Sequence, residues 1–469
     1  MFLFDSVKRK KVEFIPINSD EVRIYVCGAT VYDDAHLGHA RSSVSFDLLR
    51  RVLEVDKKKV IFVKNFTDID DKIIKKIESS GETLNEITER YMKSYNSDMK
   101  ALKVIQPTLE PKATENLDEI SNFVEVLLNR GFAYKTSSGD IYFDTSKDKK
   151  YLSISNRIQD ENSRESRLEN IESEKINPED FVLWKAKKDG DLIYFSTKIG
   201  DGRPGWHIEC SAMIEKHLSY KDSEFSIDIH GGGADLLFPH HENEASQSRC
   251  FTNKELAKYW IHNGFVKIDG DKMSKSLGNS FFIKDALKNY SGELLRFYLL
   301  STHYRQDFNF SEEELLNSKK RLDKLYRLKK RVYGGKVGEE NIDFRKNVLK
   351  SLNDDLNISV TLAIVEKWIS KSNEKLDNGI GGKNLKREIL GNFQFLDLIL
   401  GFGGSDSFSY FQFGISEIDK ETIELLILQR RDAKKEKNFQ KADDIRDSLL
   451  NMGIQIMDTV NTTLWEKSE

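Results

Sequence analysis

Cysteine, proline and long hydrophobic runs are all scarce in this chain. Its 469 residues include 3 cysteines and 6 prolines. Three cysteines cannot form a disulfide framework in so long a chain, which favours a reducing, cytoplasmic compartment. No segment approaches the roughly 18 uncharged apolar residues that a membrane-spanning helix needs. Asp5 and the basic run after it come too early for a signal peptide, so we expect a cytoplasmic protein without a membrane anchor.

A large net charge is also absent. The formal net charge is −4, with 38% hydrophobic and 32% charged residues. This balance excludes a uniformly basic protein that binds nucleic acid over its whole surface, but it leaves room for local basic patches. The apolar residues recur in periodic blocks, which excludes disorder for most of the chain. The length predicts about three domains.

The first part of the chain alternates strand and helix patterns. The β-rich run 21–28 ends at Gly28, helical spacing follows over about 38–55, and a second buried strand covers 58–66. This order predicts a parallel, right-handed βαβ unit at the start of a doubly wound sheet. Residues 224–233 predict a further strand that runs into a glycine loop. The expected fold class is therefore α/β.

The second part of the chain has helical periodicity. Four helix-period segments after about residue 290 predict an α-helical bundle over 291–402. The glycine- and serine-rich stretch 403–414 predicts a linker, and residues 415–469 predict a small separate helical unit. Within the first part, the charge-rich residues at about 150–180 show no clear period and predict an exposed insertion.

The first candidate site lies where the first strand gives way to the first helix. His36 and His39 share one face of the first helical turn, with Gly38 between them. Backbone amides at a helix N-terminus attract phosphate, and both histidines can donate hydrogen bonds to phosphate oxygens. The alternative is an ordinary helix start with two surface histidines. The order His-Leu-Gly-His directly after the strand disfavours that alternative.

The second candidate site is the run Lys-Met-Ser-Lys-Ser. Lys272 and Lys275, with Ser274 between them, place two mobile ammonium groups on a loop rich in Ser, Gly and Asn. Such a loop can close over a polyphosphate and neutralise the charge that grows in a transition state. Two lysines at this spacing are more often a solvated turn, but the full run favours a phosphate site.

Together the two motifs resemble the paired signatures of class I aminoacyl-tRNA synthetases, with Leu37 in place of the commoner isoleucine. The resemblance implies a Rossmann-type catalytic domain over 1–290, with an inserted connective subdomain over about 105–205. It also implies that both motifs bind ATP, through His36, Gly38, His39, Lys272, Ser274 and Lys275. Of these residues, the two histidines and the two lysines are the expected catalytic groups.

Four further side chains could bind a metal ion. Cys27 ends the first strand and Cys210 lies far along the chain, while His240 and Glu244 are spaced so that they face the same way on a helix. Two thiolates, an imidazole and a carboxylate form a reasonable zinc set. The residues alone leave the question open, because a free cysteine is usually a small buried hydrophobe and helical His–Glu pairs are common.

A closer resemblance involves four sequence blocks. They are CGATVYDDAHLGHAR, RPGWHIECSAM, DIHGGGADLLFPHHENEASQS and DKMSKSLGN, and they resemble, in order, the signature blocks of cysteinyl-tRNA synthetases. In that family, the residues matching Cys27, Cys210, His240 and Glu244 hold one zinc ion. The segment 415–469 resembles the anticodon-recognition unit of the same family.

This resemblance implies the ATP-dependent ligation of L-cysteine to tRNA(Cys) through a cysteinyl adenylate, with release of AMP and diphosphate. It implies one zinc ion per subunit that selects the substrate thiolate, Mg²⁺ that accompanies ATP, and a monomer. Thr30, Trp206 and Asp228 are the expected contacts of the amino acid. No proofreading domain is expected, because the hydroxyl of serine is a much poorer zinc ligand than a thiolate.

Two basic segments are candidates for contact with tRNA despite the negative net charge. Residues 319–331 hold eight basic residues and one acidic residue, and residues 430–441 hold six and two. Interleaved leucines make the first segment an amphipathic helix with a basic outer face. A solvated helix face is the usual interpretation of such a run, and phosphate binding is the other. Under the second interpretation, charge reversal at Lys329 and Lys330 weakens tRNA binding and spares adenylate formation.

Two other functions stay open. Cysteine:amino-sugar ligases resemble this family and activate cysteine in the same way, but they lack the C-terminal RNA-binding unit. The other function is that of a catalytically silent, zinc-containing RNA-binding protein, which the intact nucleotide motifs disfavour. Cysteine-dependent ATP–pyrophosphate exchange separates the silent protein from the two enzymes, and the acceptor separates the two enzymes from each other.

Overall fold

The chain folds into two compact units. The structure is a computed structural model that describes residues 1–157, 174–268, 271–272, 281–459 and 462–467, with only the backbone described at 271–272. The first unit comprises Met1–Lys284, Leu299–Ser311 and Leu349–Val360, and the second comprises Asp285–Tyr298, Glu312–Val348 and Thr361–Glu469. The domain boundaries at residues 290, 402 and 414 stay predictions.

The described residues contain strands and helices in the following order. The strands are β1 (Phe2–Asp5), β2 (Lys10–Glu13), β3 (Glu21–Thr30), β4 (Lys59–Thr67), β5 (Ala133–Lys135), β6 (Ile141–Phe143), β7 (Phe181–Ala186), β8 (Phe195–Thr197), β9 (Gly200–Pro204), β10 (Phe225–Gly233), β11 (Glu255–Asn263), β12 (Val266–Ile268), β13 (Asp271–Lys272), β14 (Phe308–Phe310), β15 (Ile454–Asp458) and β16 (Thr463–Lys467). The helices are α1 (Leu37–Val55), α2 (Asp71–Ser80), α3 (Leu84–Ala101), α4 (Leu117–Asn129), α5 (Trp206–His217), α6 (Glu242–Thr252), α7 (Ile283–Asn289), α8 (Gly292–Leu300), α9 (Glu312–Arg331), α10 (Ile342–Leu352), α11 (Ile358–Asp377), α12 (Gly382–Leu400), α13 (Ser407–Phe411), α14 (Glu417–Lys435) and α15 (Phe439–Asn451). Among the described helices, none is long and apolar enough to cross a bilayer.

A four-stranded parallel sheet, in the order β11–β10–β3–β4, forms the centre of the first unit. Val22, Ile24 and Ile229 in this sheet are fully buried, as expected for parallel strands that are covered on both faces. The strands end at one edge, where Thr30 pairs with Thr67 and Gly233 with Asn263. Open parallel sheets bind ligands beyond these carboxyl ends. The predicted α/β fold class is confirmed.

A second sheet lies within the predicted insertion. Its five strands pair antiparallel in the order β5–β6–β7–β9–β8, and the pairing of Ala133 with Phe143 forms the hairpin around Ser138–Gly139 that the sequence indicates. Its inner residues pack with side chains of α4 and α5 in one hydrophobic core. Of the charge-rich stretch predicted as an exposed insertion, residues 158–173 lie outside the described residues.

The second unit is predominantly helical, as predicted. Leu322, Leu325 and Leu328 of α9 are all buried, which confirms the amphipathic pattern of this helix. Residues 403–414 differ from the predicted linker, because they include α13 and pack on the unit. Phe408 is buried, and the ring of Tyr410 stacks on another tyrosine ring at 3.8 Å between centroids. The glycines and serines suggested flexibility, but the buried aromatic side chains hold this segment in place.

The last part of the second unit is not purely helical. After α14 and α15, strands β15 and β16 form an antiparallel hairpin, which the helical interpretation of residues 415–469 missed. Its apolar side chains join a small core with those of the two helices. Arg430 donates hydrogen bonds to both carboxylate oxygens of Asp458 at 2.8 and 3.0 Å, and Lys434 donates another at 2.6 Å. The hydrogen bonds from Arg430 above all lower the pKa of Asp458 below its usual range.

Candidate active site and metal centre

The site begins at an irregularity in strand β3. A register shift between Val26 and Ala29 interrupts its pairing with β4, and the Gly28 N–H donates to the side-chain oxygen of Asn65 at 2.9 Å. A Cβ atom on Gly28 would lie 1.5 Å from the backbone oxygen of Asn65. Only glycine fits this close approach, which holds the neighbouring Cys27 at the carboxyl end of the sheet.

The four predicted metal ligands meet beside this strand. Cys27 comes from β3, Cys210 from α5, His240 from the turn Leu237–His241 and Glu244 from α6. The Sγ atoms of the two cysteines are 3.9 Å apart, and Cys27 Sγ lies 3.4 Å from Glu244 Oε1. His240 Nε2 lies 3.7 Å from Cys210 Sγ and 2.8 Å from Glu244 Oε1. All four side chains are buried, and their donor atoms lie within 4.8 Å of one another.

Electrostatics in this cluster favour a positive charge among the donor atoms. Burial alone would raise the pKa of Glu244, but the imidazoles of His240 and His230 hold it well below its usual range. Burial also opposes ionisation of Cys210, yet hydrogen bonds from Cys27 and His240 lower its pKa to about 6. Burial alone would lower the pKa of His240, but the Glu244 charge and hydrogen bonds to Cys210 and Glu244 together raise it to about 10. A metal ion that binds here must therefore displace a proton.

The donor set fits zinc. Zinc–sulfur bonds of about 2.3 Å in a tetrahedral site place two sulfurs about 3.8 Å apart, close to the 3.9 Å between the two cysteines. An overlapping group of Cys27, His230, His241 and Glu244 also lies within 4.8 Å. The first group has two thiolates, which suit zinc better than the single thiolate of the second.

Further histidines, which the sequence interpretation missed, surround the four ligands. The Nδ1 atoms of His207 and His240 are 2.8 Å apart, and His230 Nε2 lies 2.6 Å from the second oxygen of Glu244. His241 Nε2 lies 3.4 Å from Cys27 Sγ. Such outer contacts orient metal ligands. The available signal was the concentration of histidines in the two blocks that hold Cys210 and Glu244.

The predicted histidine motif forms the start of α1. Gly38 N donates to His36 Nδ1 at 3.1 Å, and His36 N donates to His39 Nδ1 at 3.3 Å. The two rings stack with 3.7 Å between centroids. Because each Nδ1 accepts a backbone N–H, a neutral ring has its proton on Nε2. That nitrogen can donate to a phosphate oxygen.

A cavity of about 300 Å³ extends from the histidine motif to Cys27, a member of the group of four candidate metal ligands. Cys27, Thr30, His36, His39 and Trp206 all line it. The ring of Trp206 stacks on that of His240 at 4.2 Å between centroids, and 39% of its surface is exposed. The structure therefore brings together both predicted nucleotide histidines, one metal ligand and two of the predicted amino-acid contacts.

Asp228 does not belong to this cavity, so its predicted contact with the amino acid needs correction. It is buried in β10, five residues before the strand ends. Its carboxylate accepts hydrogen bonds from the backbone of Ile17 and Arg23 and from the Tyr220 hydroxyl. These donors supply the hydrogen bonds of the buried Asp228 carboxylate from within the fold. Asp235 lines the cavity instead; the same glycine-rich block contains it, but the sequence interpretation did not single it out.

The predicted lysine loop is described only at its start. The backbone of Lys272 pairs antiparallel with that of Lys267. The Lys272 side chain, Ser274 and Lys275 lie outside the described residues. Their contacts with ATP stay predictions.

The lysines chosen for charge reversal in α9 have structural partners. Lys329 Nζ donates to the backbone oxygens of Gly403 and Ser405, each at 2.7 Å. Lys330 pairs with Glu466 at 2.6 Å. Reversing these charges would disturb the packing of the second unit itself. Lys320 and Lys324 are exposed on the same helix and are better positions for such a test.

The fold is shared with solved tRNA synthetases. One is the methionyl-tRNA synthetase of Mycobacterium tuberculosis in complex with methionyl-adenylate, with a TM-score of 0.60 and 13% identity over 81% of this chain and 92% of that chain. Another is the LeuRS of Agrobacterium radiobacter K84 in a ternary complex, with a TM-score of 0.61 and 11% identity over 85% of this chain and 86% of that chain. A family model described as the catalytic domain of class I (C) tRNA synthetases matches residues 13–320. The fold and the family model together place this chain among the class I tRNA synthetases.

Curated proteins resemble the chain over its whole length. The cysteine--tRNA ligase of Aliarcobacter butzleri (strain RM4018) is 58% identical over 467 residues, which span 100% of this chain and 99% of that protein. The cysteine--tRNA ligase of Helicobacter pylori (strain P12) is 53% identical over 467 residues, or 100% of each chain. The chain therefore belongs to the cysteine--tRNA ligase family, which confirms the resemblance found in the sequence blocks.

Proposed function

We propose that this protein ligates L-cysteine to tRNA(Cys) in two steps that consume ATP. The observation that supports this most directly is the position of Cys27, which is at once a member of the buried four-ligand cluster and part of the cavity wall beside His36 and His39. The four candidate metal ligands, which suit a thiolate-binding metal ion, therefore lie next to the two histidines that can bind phosphate. Joining a thiol-bearing amino acid to a nucleotide needs both.

In the first step, the substrate carboxylate attacks the α-phosphorus of ATP, and the bond to the leaving diphosphate breaks. An ionised carboxylate is already a nucleophile, so this step needs positioning and charge stabilisation rather than a general base. His36 and His39 donate from Nε2 to phosphate oxygens beside the N-terminus of α1, whose backbone amides favour negative charge. Lys272 and Lys275, with Ser274, act on the leaving diphosphate. Mg²⁺ accompanies ATP and is held mainly by the phosphates.

Cys27, Cys210, His240 and Glu244 would hold one zinc ion. When bound, zinc supplies a soft cation that prefers the thiolate of cysteine to the hydroxyl of serine. Shape alone separates such similar side chains by only about 1–3 kcal/mol, so metal-based selection makes a proofreading site unnecessary. Trp206 and Thr30 line the same cavity and position the amino acid.

In the second step, a hydroxyl of the terminal adenosine of tRNA attacks the acyl carbon, and AMP leaves. The second unit contains the basic helix α9 and the C-terminal helices, which we assign to the tRNA backbone and the anticodon. Contacts of this kind weaken as salt rises. We expect the protein to act in the cytoplasm as a monomer.

Amino-acid-dependent ATP–pyrophosphate exchange, followed by charging of tRNA, tests the proposal. Cysteine should support exchange, serine should support it at least about 100-fold less well, and cysteine should then appear on tRNA(Cys). Exchange without charging, but with transfer to an amino-sugar, would favour the sugar ligase. Absence of cysteine-dependent exchange would contradict both enzyme functions and favour the silent RNA-binding protein.

A further inference from the structure

A buried lysine that takes no part in the steps above lies in the wall of the nucleotide cavity. Lys64 belongs to β4, is 8% exposed, and lines the cavity together with His36 and His39. Its ammonium donates to the hydroxyls of Ser43 at 2.7 Å and Tyr95 at 2.5 Å. No sequence motif singled it out.

Among the residues that the structure describes, the charge of Lys64 has no matching anion. Within the described part of the chain, both hydrogen-bond partners of its ammonium are neutral hydroxyls, and it forms no ion pair with a carboxylate. Burial raises the pKa of Glu110 despite the charge of Lys64, so that carboxyl is a poor counter-ion. A buried ammonium without a counter-ion is costly. A cavity that receives an anionic ligand compensates for this cost when the ligand is bound.

The position of Lys64 links it to the phosphate-binding end of α1. The Ser43 hydroxyl, which accepts from the ammonium, also donates to the backbone oxygen of His39 at 2.8 Å. The Tyr95 ring meets the His39 ring edge-on at 6.3 Å between centroids. An ammonium has three N–H donors, and the two hydroxyls use two of them. The third has no partner among the described residues. Lys64 lines the cavity beside His36 and His39 and also an adjoining cavity of about 550 Å³, which Ser43 and Glu110 line too.

Resting on the proposed function, we propose that Lys64 binds the phosphate groups of ATP directly and is a further catalytic residue of adenylate formation. Its ammonium neutralises phosphate charge from strand β4, in addition to the predicted lysines Lys272 and Lys275. The alternative is a purely structural role, in which Lys64 only ties β4 to α1 and α3 through Ser43 and Tyr95. The two roles differ in what charge removal does to phosphate affinity.

The test compares K64Q with S43A. The first variant removes the charge but keeps a donor toward the hydroxyls, and the second removes one hydroxyl partner but keeps the charge. Two quantities are measured: the KM values for ATP and for cysteine in pyrophosphate exchange, and the affinity of the free protein for inorganic tripolyphosphate by calorimetry. K64Q should raise the KM for ATP and weaken tripolyphosphate binding about tenfold or more. The KM for cysteine should stay within about twofold, S43A should change each value less than about threefold, and K64R should restore most of the loss.

Equal effects of K64Q and S43A, or unchanged phosphate affinity in K64Q, would overturn the proposal in favour of the structural role. Should K64Q fail to fold, a crystal structure of the wild-type protein with a non-hydrolysable ATP analogue replaces it. Lys64 Nζ should then lie within about 3.2 Å of a phosphate oxygen, and a distance beyond hydrogen bonding would refute the contact. Tripolyphosphate binding does not depend on the amino acid. A failure of cysteine-dependent exchange in the wild-type protein would therefore count against the proposed function alone.

Discussion

Replacing Cys210 by serine removes one thiolate from the proposed zinc site while changing little else. The side chain is buried, with Sγ at 3.9 Å from Cys27 Sγ and 3.7 Å from His240 Nε2, and serine is slightly smaller, so the fold should persist. A neutral hydroxyl replaces an anionic sulfur, so the donor set loses one negative charge. Losing even an outer contact of a metal ligand costs about 10- to 100-fold in affinity. Loss of the ligand itself should therefore cost at least about 100-fold, or about 2.7 kcal/mol.

The assay measures zinc per chain after dialysis against a weak chelator, together with the KM for cysteine in pyrophosphate exchange. C210S should lose zinc and cysteine activation together. C250S is the matched control, because Cys250 is an equally buried thiol that packs in a different hydrophobic core, with Phe123 and Ile208; it should keep both. The reasoning fails if C210S retains one zinc per chain with an unchanged KM, or if C250S loses the metal as readily.

Three other perturbations test separate parts of the molecule. Replacing His207 by alanine removes the contact that orients His240, so zinc affinity should fall about 10- to 100-fold in a chelator competition; an unchanged affinity would show that the contact does not matter. In the C-terminal hairpin, the lowered pKa of Asp458 means that its ion pairs stabilise the fold above the unfolded pKa of about 3.9 and cease to do so as pH falls. D458N should therefore cost up to about 1 kcal/mol in urea unfolding at pH 7, and the difference from wild type should shrink below about pH 4; a difference independent of pH would contradict the ion-pair explanation. Charge reversal of Lys320 and Lys324 together should weaken tRNA binding, reduce its salt dependence and leave pyrophosphate exchange intact; equal tRNA affinity would assign this helix face to solvent.

Local patterns were enough to predict the central sheet and the helical second unit. The alternation of strand and helix signals up to residue 66 corresponds to β3, α1 and β4. The buried leucine stripe of α9 follows its sequence period. Periodicity reports which face of an element is buried, so it succeeds where one element packs on one core.

Long-range assembly was beyond local patterns. Cys27 and Glu244 are 217 positions apart and yet 3.4 Å from each other, a meeting that only the family resemblance indicated. Asp228 was a predicted contact of the amino acid. Its position in β10 instead places its carboxylate against backbone N–H donors, away from the cavity. The packed segment 403–414 shows the same limit, because composition does not reveal that Phe408 and Tyr410 have partners on other helices.

The histidines around the four candidate metal ligands were missed for a related reason. His207 and His230 occur next to residues that were singled out, but their roles depend on which ring nitrogen faces which ligand. That information exists only once α5, β10 and α6 are placed side by side. Lys64 is a similar case, since nothing in β4 alone shows that its ammonium meets only neutral hydroxyls among the described residues.

The most direct measurement of the central claim is the absorption spectrum of the cobalt-substituted protein. Cobalt(II) occupies zinc sites and shows charge-transfer absorption for each thiolate that it binds. Adding cysteine should increase this absorption by the contribution of one more sulfur, and adding serine at the same concentration should leave it unchanged. An unchanged spectrum at cysteine concentrations that saturate adenylate formation would contradict the claim that the metal selects the substrate.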